Sequence, residues 1–200
     1  MIAALFVAKG GCYFGLPDVD PWDEERDARL YTGPHPVVAH PPCQRWGSLA
    51  FANYARYRRD ELRPGNDGFC FEAALRAVRH WGGVLEHPAK SRAWDAYQIH
   101  KPVPGRWTEG PTGWVCEVWQ SAYGHRAQKA TWLYCRSFSG RPRELDWSRP
   151  RTDFQIGFQD KRGKAKNKTT LSRAEANATP IPFRDLLISI AASSKVDQGT

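Results

Sequence analysis

"VVAHPPCQRWG", Val37 to Gly47, is the stretch that decides how the chain is read. Val37-Val38-Ala39 is a short apolar run, and it leads directly into two prolines and a lone thiol, Cys43. A cysteine that only packs sits within an apolar stretch and needs no stiff frame. A cysteine that attacks another molecule must be held at one place and angle. Tandem prolines, each with φ fixed by its ring, supply such a frame. The stretch therefore reads as a buried strand whose carboxyl end presents a nucleophile.

Working outward from it, residues 2 to 8 are aliphatic and end at Gly10-Gly11, which reads as a first buried strand and a tight turn. Asp18 to Tyr31 reads as a turn followed by a short polar helix. Asn66 and Asp67 cap a helix that runs to Trp81, with Phe71, Leu75 and Val78 on one face, and Gly82-Gly83 ends it. "VLEHP" reads as a strand that stops at Glu86; "WVCEVWQ" and "ATWLYC" are two more strands, flanking "SAYGHRAQK". "TPIPFRDLLISIAAS" closes the chain as an amphipathic helix that begins after two prolines. Strands alternating with helices predict an α/β fold, a mostly parallel Rossmann-like sheet with helices on both faces. In such sheets the ligand sits beyond the carboxyl ends of the strands. Gly10-Gly11, Cys43 and Glu86 each follow a predicted strand, so all three should meet at one edge.

Composition narrows the class. The chain has 200 residues and 41% hydrophobic content, enough for one domain with a real core. No apolar run approaches the roughly 18 to 20 residues of a membrane span. "MIAALFVAKGG" lacks the basic start of a secretory leader and is interrupted by Lys9, so a cytoplasmic protein with no membrane partner is expected. Five cysteines form no CxxC pair, which argues against a disulfide framework and a four-cysteine zinc site. His40 and Cys43 offer two metal ligands, but no second pair follows at a useful spacing, so no metal is expected. The net charge is +8, and it is concentrated. Eleven basic residues face four acids between Arg136 and Arg173, an excess that favours a polyanion partner, nucleic acid above all.

Taken in order, these stretches resemble the DNA cytosine-5 methyltransferase family. "LFVAKGG" (Leu5 to Gly11) looks like the family's first motif, a Phe and a Gly pair lining the S-adenosylmethionine pocket. "HPPCQRWG" resembles the Pro-Cys-Gln loop and puts the nucleophile on Cys43. "LEHP" is similar to the Glu-Asn-Val motif and puts the base-binding acid on Glu86. "QSAYGHRAQKATWLY" is similar to the eighth motif, and "ANATPIPFRDLLISIA" to the last, whose helix returns to the cofactor pocket. The resemblance spans residues 5 to 191. It implies a compact, phage-like enzyme with a methyltransferase-type sheet, S-adenosylmethionine as cofactor and DNA as partner, with room for a protein partner in target recognition. It assigns catalysis to Cys43, Glu86 and Lys129, and cofactor binding to Phe6, Gly10, Gly11, Asn177 and a ribose-binding acid, Asp20 or Asp23. Nucleic-acid contacts fall to Arg45, Arg126, Lys161, Arg162, Lys164, Lys166 and Lys168.

The departures shape the expected domain plan. His87-Pro88 replaces Asn-Val after Glu86. The eighth motif lacks Gln-x-Arg-x-Arg, with Lys129 at its first Arg and Thr131 at its second. Only 31 residues separate Gly11 from Cys43, so the adenosine-binding part is abbreviated. The expected plan is a catalytic α/β core over 1–135, a reduced recognition segment over 136–173, and a C-terminal helix with a polar tail over 174–200. Trp147, Phe154 and Phe158 are available for base stacking or for the core. The chemistry implied is addition of a thiolate to carbon 6 of a flipped-out cytosine, with the acid at ring nitrogen 3 and methyl transfer to carbon 5. Such a thiol calls for a depressed pKa. The same thiol chemistry on RNA, a free nucleotide or another donor, and an inactive nucleic-acid-binding protein, are the competing readings.

Overall fold

Ile2–Leu5 and Val37–Ala39, the two aliphatic runs nearest the chain start, lie side by side as parallel strands. A computed structural model of the chain describes residues 1–157 and 168–194. Among these, the elements in order are β1 (Ile2–Leu5), β2 (Val19–Trp22), β3 (Val37–Ala39), α1 (Ser48–Tyr57), α2 (Cys70–Trp81), β4 (Gly83–Pro88), α3 (Ala93–Ala96), β5 (Thr108–Gly110), β6 (Gly113–Trp119), β7 (Ala130–Arg136), β8 (Phe154–Gln155), β9 (Thr169–Thr170), α4 (Arg173–Asn177) and α5 (Ile181–Ala192). The first seven strands form one sheet in the order β2-β1-β3-β4-β7-β6-β5, and β8 and β9 pair separately.

The fold is α/β, but the mostly parallel sheet is corrected to a mixed one. β2, β1, β3 and β4 run parallel, whereas β7 lies antiparallel between β4 and β6, and β5 is antiparallel to β6. Chain length explains the difference. A parallel crossover takes a dozen or more residues, usually a helix. Only Gln120–Lys129 join β6 to β7, and only Pro111-Thr112 join β5 to β6, so both pairs close as antiparallel neighbours.

Three further expectations change. β4 does not stop at Glu86 but runs on to Pro88, because Glu86, His87 and Pro88 pair with Leu133, Trp132 and Thr131 of β7. Asp18–Tyr31 begins with a strand, β2, and ends in a 3₁₀ turn at Ala28–Leu30. Pro21 hides the strand because it has no N–H for a ladder, and an edge strand such as β2 tolerates it. The first strand stops at Leu5 instead of running to residue 8, since Phe6 turns to φ 59°, which breaks the extended ladder.

Strand alternation sorts the core into two layers, and helices cover both faces. Ala3, Leu5, Val37, Ala39 and Leu85 meet Phe71, Leu75 and Val78 of α2. Ile2, Ala4, Val38, Val84, Leu133 and Cys135 meet Phe183, Leu187 and Ile190 of α5. Each of those large α2 side chains contributes about 1.5–3 kcal/mol by leaving water. Gly83 opens β4 at φ +116°, and a Cβ there would lie 2.0 Å from the Val37 carbonyl oxygen, so only glycine lets β4 approach β3.

The basic segment divides. Its first half is strapped to the sheet: Leu145 is buried, the Trp107 indole donates to the Arg143 carbonyl, and Gln128 donates to the Pro150 carbonyl. Of its second half, Phe154–Gln155 and Thr169–Thr170 form the β8–β9 pair, bridged to Ala127. No helix among the described residues is long and apolar enough to cross a membrane.

Candidate active site

Because β1, β3 and β4 are parallel, their carboxyl ends share one edge of the sheet. β7 runs the other way, so its first residues reach the same edge, with Thr131 opposite Pro88. The sheet therefore delivers the β1 turn, Cys43, Glu86 and Lys129 to one place from positions far apart in the chain.

The Cys43 loop is held as the prolines suggest. The Trp46 N–H donates to the Cys43 carbonyl at 3.0 Å, and the Arg92 N–H donates to the Trp46 carbonyl at 3.0 Å. The N-cap of α2 is Phe69, not Asn66 or Asp67; Asp67 accepts from the Trp46 indole at 2.8 Å and from the Phe71 N–H at 2.9 Å, and so ties the first turn of α2 to the loop. The thiol itself departs from expectation. Burial pushes its pKa up, and the charge of Glu86 pushes it further, against the pull of Lys129 and Arg173. The depressed thiol the chemistry calls for is not present at rest, because the pocket is partly desolvated and already holds an anion.

Glu86 is that anion. Burial alone raises its pKa, but a hydrogen bond from His40 and the charge of Lys129 outweigh burial and bring it to about 2. Its Oε2 lies 3.0 Å from His40 Nδ1, and its Oε1 accepts from Gln120 Nε2 at 3.0 Å. Gln120 also donates to Thr131 Oγ1 at 3.0 Å. His87, the next residue, faces the α2 layer. It packs edge-on against Phe71 and Trp94, both ring nitrogens lack a hydrogen-bond partner among the described residues, and burial lowers its pKa to about 4.

The residues assigned to a cofactor are partly gathered. Phe6 is half-buried against the α2 layer. Gly10 takes φ +64° and a Cβ there would meet nothing within 4 Å, while a Cβ on Gly11 would lie 2.8 Å from the Ala8 carbonyl oxygen. Asp23 directly follows β2 and is buried; its Oδ1 accepts the N–H groups of Glu25 and Arg26, and its Oδ2 makes no hydrogen bond among the described residues. Asp20 is occupied by Arg26 and the Trp22 indole. Asp23 is thus the better of the two acids for an incoming hydroxyl. α5 reaches the segment after β1, with Arg184 donating to the Cys12 carbonyl at 2.8 Å. Asn177 is exposed at the end of α4, and no hydrogen bond among the described residues joins it to the β1 turn.

The basic residues separate into groups. Arg45 and Arg173 line an open cleft of about 410 Å³ with Asn66, Asp67 and the two chain neighbours of Cys43, Pro42 and Gln44. Arg126 is instead paired with Glu175 and stacked 4.0 Å over the Phe154 ring. Phe154 packs with Ala127, Leu171 and Ala176, and Trp147 packs against the α5 layer, each of them half-buried. Lys168 is half-buried beside β9; Lys161, Arg162, Lys164 and Lys166, with Phe158, lie outside the described residues. Among the described residues no three His, Cys, Asp or Glu side chains gather as a metal set.

His40, Tyr13, Gln120 and Arg173 were not singled out as members of the site by the sequence pattern. His40 had a legible signal: the register that pairs Ala39 with Leu85 continues to His40 beside Glu86. No protein-family model, curated protein or solved structure matches the chain.

Proposed function

We propose that the chain is an S-adenosylmethionine-dependent methyltransferase that acts on carbon 5 of cytosine in DNA through a covalent adduct with Cys43. The observation that carries this reading is the meeting of Cys43, Glu86 and Lys129 at one sheet edge, beside the glycine turn that follows β1. The β1 turn and Asp23 suit the cofactor: Gly10 leaves the turn open, and the free Oδ2 of Asp23 can accept from a ribose hydroxyl. When bound, that cofactor supplies a methyl group on a positively charged sulfur.

The chain's own residues do the rest. Cys43 as thiolate adds to carbon 6 of the ring, which makes carbon 5 nucleophilic. Glu86 faces ring nitrogen 3, where charge develops, and Lys129 offsets the negative charge of both groups. A cytosine in a duplex hides carbon 6, so the nucleotide must leave the stack, at roughly a few kcal/mol. Arg45 and Arg173 in the cleft beside Cys43 can hold its phosphates.

The test is incubation with labelled S-adenosylmethionine and DNA containing 5-fluorocytosine. A stable covalent complex that carries the label and is absent with Cys43→Ser is expected. Label incorporation without a Cys43 adduct, or no reaction at all, would overturn the reading. One observation favours a second reading, the same thiol chemistry with another donor. Between Gly11 and Cys43 the chain builds, apart from β3 itself, only one strand and a single 3₁₀ turn, a small platform for adenosine. Calorimetry that detects no S-adenosylmethionine binding would move that reading forward.

A further inference from the structure

Tyr13, His40 and Glu86 form an unbroken chain of hydrogen bonds from the β1 turn to β4. The Tyr13 hydroxyl is 2.8 Å from His40 Nε2, and His40 Nδ1 is 3.0 Å from Glu86 Oε2. The chain is shielded from water: Tyr13 is 2% exposed, Glu86 8%, and the His40 side chain 13%. The rings of Tyr13 and His40 also pack, with centroids 5.4 Å apart.

The chemistry proposed above leaves a gap that this chain fills. Addition of sulfur to carbon 6 drives an electron pair onto ring nitrogen 3, which must gain a proton. Glu86 is ionised at rest and has none to give. Its two partners differ. The Gln120 amide does not release a proton at biological pH, whereas an imidazole carries and yields one readily.

We propose that His40 is a positioning residue that stores the proton Glu86 delivers to the pyrimidine. The inference rests on the thiol-addition reading above. From the Cys43 thiolate and the His40 imidazolium, a sulfur–carbon 6 bond forms, and the ring electrons shift toward nitrogen 3. Nitrogen 3 takes a proton from Glu86 as Glu86 takes the Nδ1 proton of His40. His40 is left neutral, with its remaining proton on Nε2 donated to the Tyr13 oxygen. When carbon 5 later gives its proton to solvent and sulfur leaves carbon 6, nitrogen 3 returns its proton along the same path. The titratable and charged groups around this pair are Tyr13 from the β1 turn, Glu86 and His87 from β4, Lys129 from the approach to β7, and Cys43 in the same loop.

His40→Asn tests the proposal, since its amide can still donate to Glu86 but cannot carry the proton. On the full chain, kcat is expected to fall by about 10²-fold with KM nearly unchanged, in line with the contribution of a general acid. The pH profile adds a readout that a purely structural role would not move. The profile should differ between the parent and His40→Asn, whereas a purely structural loss would lower kcat alike at every pH. Tyr13→Phe removes only the outer acceptor and should lower kcat by less than His40→Asn with KM unchanged, so it carries the test if His40→Asn does not fold. Nitrogen-15 NMR of the unliganded chain should show a proton on His40 Nδ1 bridging to Glu86, lost in Glu86→Ala. A parent that transfers methyl while His40→Asn keeps its kcat and pH profile overturns this proposal alone. An unchanged kcat in Tyr13→Phe, or no bridging proton, does the same. A parent that transfers nothing overturns the enzyme reading itself, and this proton step with it.

Discussion

The two adjacent strand ends that build the site treat charge in opposite ways. Near the end of β4, Glu86 is enclosed by His40, Gln120 and Lys129 and is ionised down to about pH 2. Past the end of β3, Cys43 stands between Pro42 and Gln44, which line an open cleft with Arg45 and Arg173, and its thiol holds its proton more tightly than a free cysteine. Burial is common to both groups, so it does not separate them. The difference lies in the partners. Glu86 has a hydrogen-bonding histidine, while Cys43 faces the charge of Glu86 itself. A site this small supports one anion easily and two only at a cost. Anything that neutralises Glu86, such as a proton shared with a docked ring nitrogen, removes the charge that opposes the thiolate. On the proposed function, docking of the base and activation of the nucleophile are one event.

The sharpest break in this comparison is Cys43→Ser. A hydroxyl is close in size but a far weaker nucleophile at neutral pH, so transfer should fall to background while folding and nucleic-acid binding persist. Full activity in a clean transfer assay would end the covalent mechanism and leave the prolines with a structural role only. Glu86→Gln comes next. It should lower the transfer rate by roughly 10² to 10⁴. It should also lower the pH at which Cys43 reacts with iodoacetamide, because the negative charge that raises the thiol is gone. A thiol whose reactivity profile does not move would show that the two strand ends are not coupled.

How far the sequence could be read follows the same division between local and non-local signals. The strand at Val37–Ala39, the α2 face of Phe71, Leu75 and Val78, and the shared edge of the β1 turn, Cys43 and Glu86 were legible, since each rests on periodicity or on a strand end. α1 was not, because Ala50 is its only buried residue and a helix without an apolar stripe carries no periodic signal. Pro21 conceals β2, and the antiparallel setting of β7 follows from a connection length that the alternation of strands and helices does not display. The members of the buried polar chain were hidden for another reason. Tyr13, His40 and Gln120 acquire meaning only from residues 27, 46 and 34 positions away. Pairing strand registers, more than finding motifs, would have found them.

The enclosed side also sets how the fold responds to acid, and His87 measures it. Its folded pKa of about 4 lies below the ordinary histidine value of 6.5. Between those values the unfolded chain binds a proton that the folded chain does not. Stability should therefore fall as pH drops from about 6.5 to 4, by up to about 3 kcal/mol. Glu86 acts at lower pH: its stabilisation is present above the ordinary carboxylate range and is lost as pH falls toward 2. His87→Leu should fit between Phe71 and Trp94, match or slightly exceed the parent at pH 7, and remove only the first of these losses. Urea melts at pH 7 and 4.5 measure it. A parent and variant that lose stability equally between the two would place the acid response elsewhere.

The smallest effect concerns the open side. If the cleft beside Cys43 holds phosphates, Arg45→Ala and Arg173→Ala should each flatten the salt dependence of DNA binding, since each phosphate neutralised adds about 0.7 to 0.9 to the slope of log K against log salt. Lys161, Arg162, Lys164, Lys166 and Lys168, if all engage phosphates, would contribute a slope of about −3.5 to −4.5 between them. Arg126 is the internal control. Its guanidinium is already paired with Glu175 and stacked on Phe154, so it has less charge to offer a phosphate, and Arg126→Ala should leave the slope nearly unchanged. Fluorescence anisotropy over a range of salt concentrations resolves these differences. If Arg126→Ala flattens the slope as much as Arg173→Ala, the nucleic acid follows the β8–β9 side rather than the cleft. On the proposed function, the DNA would then need a path that does not run through the cleft flanking Cys43.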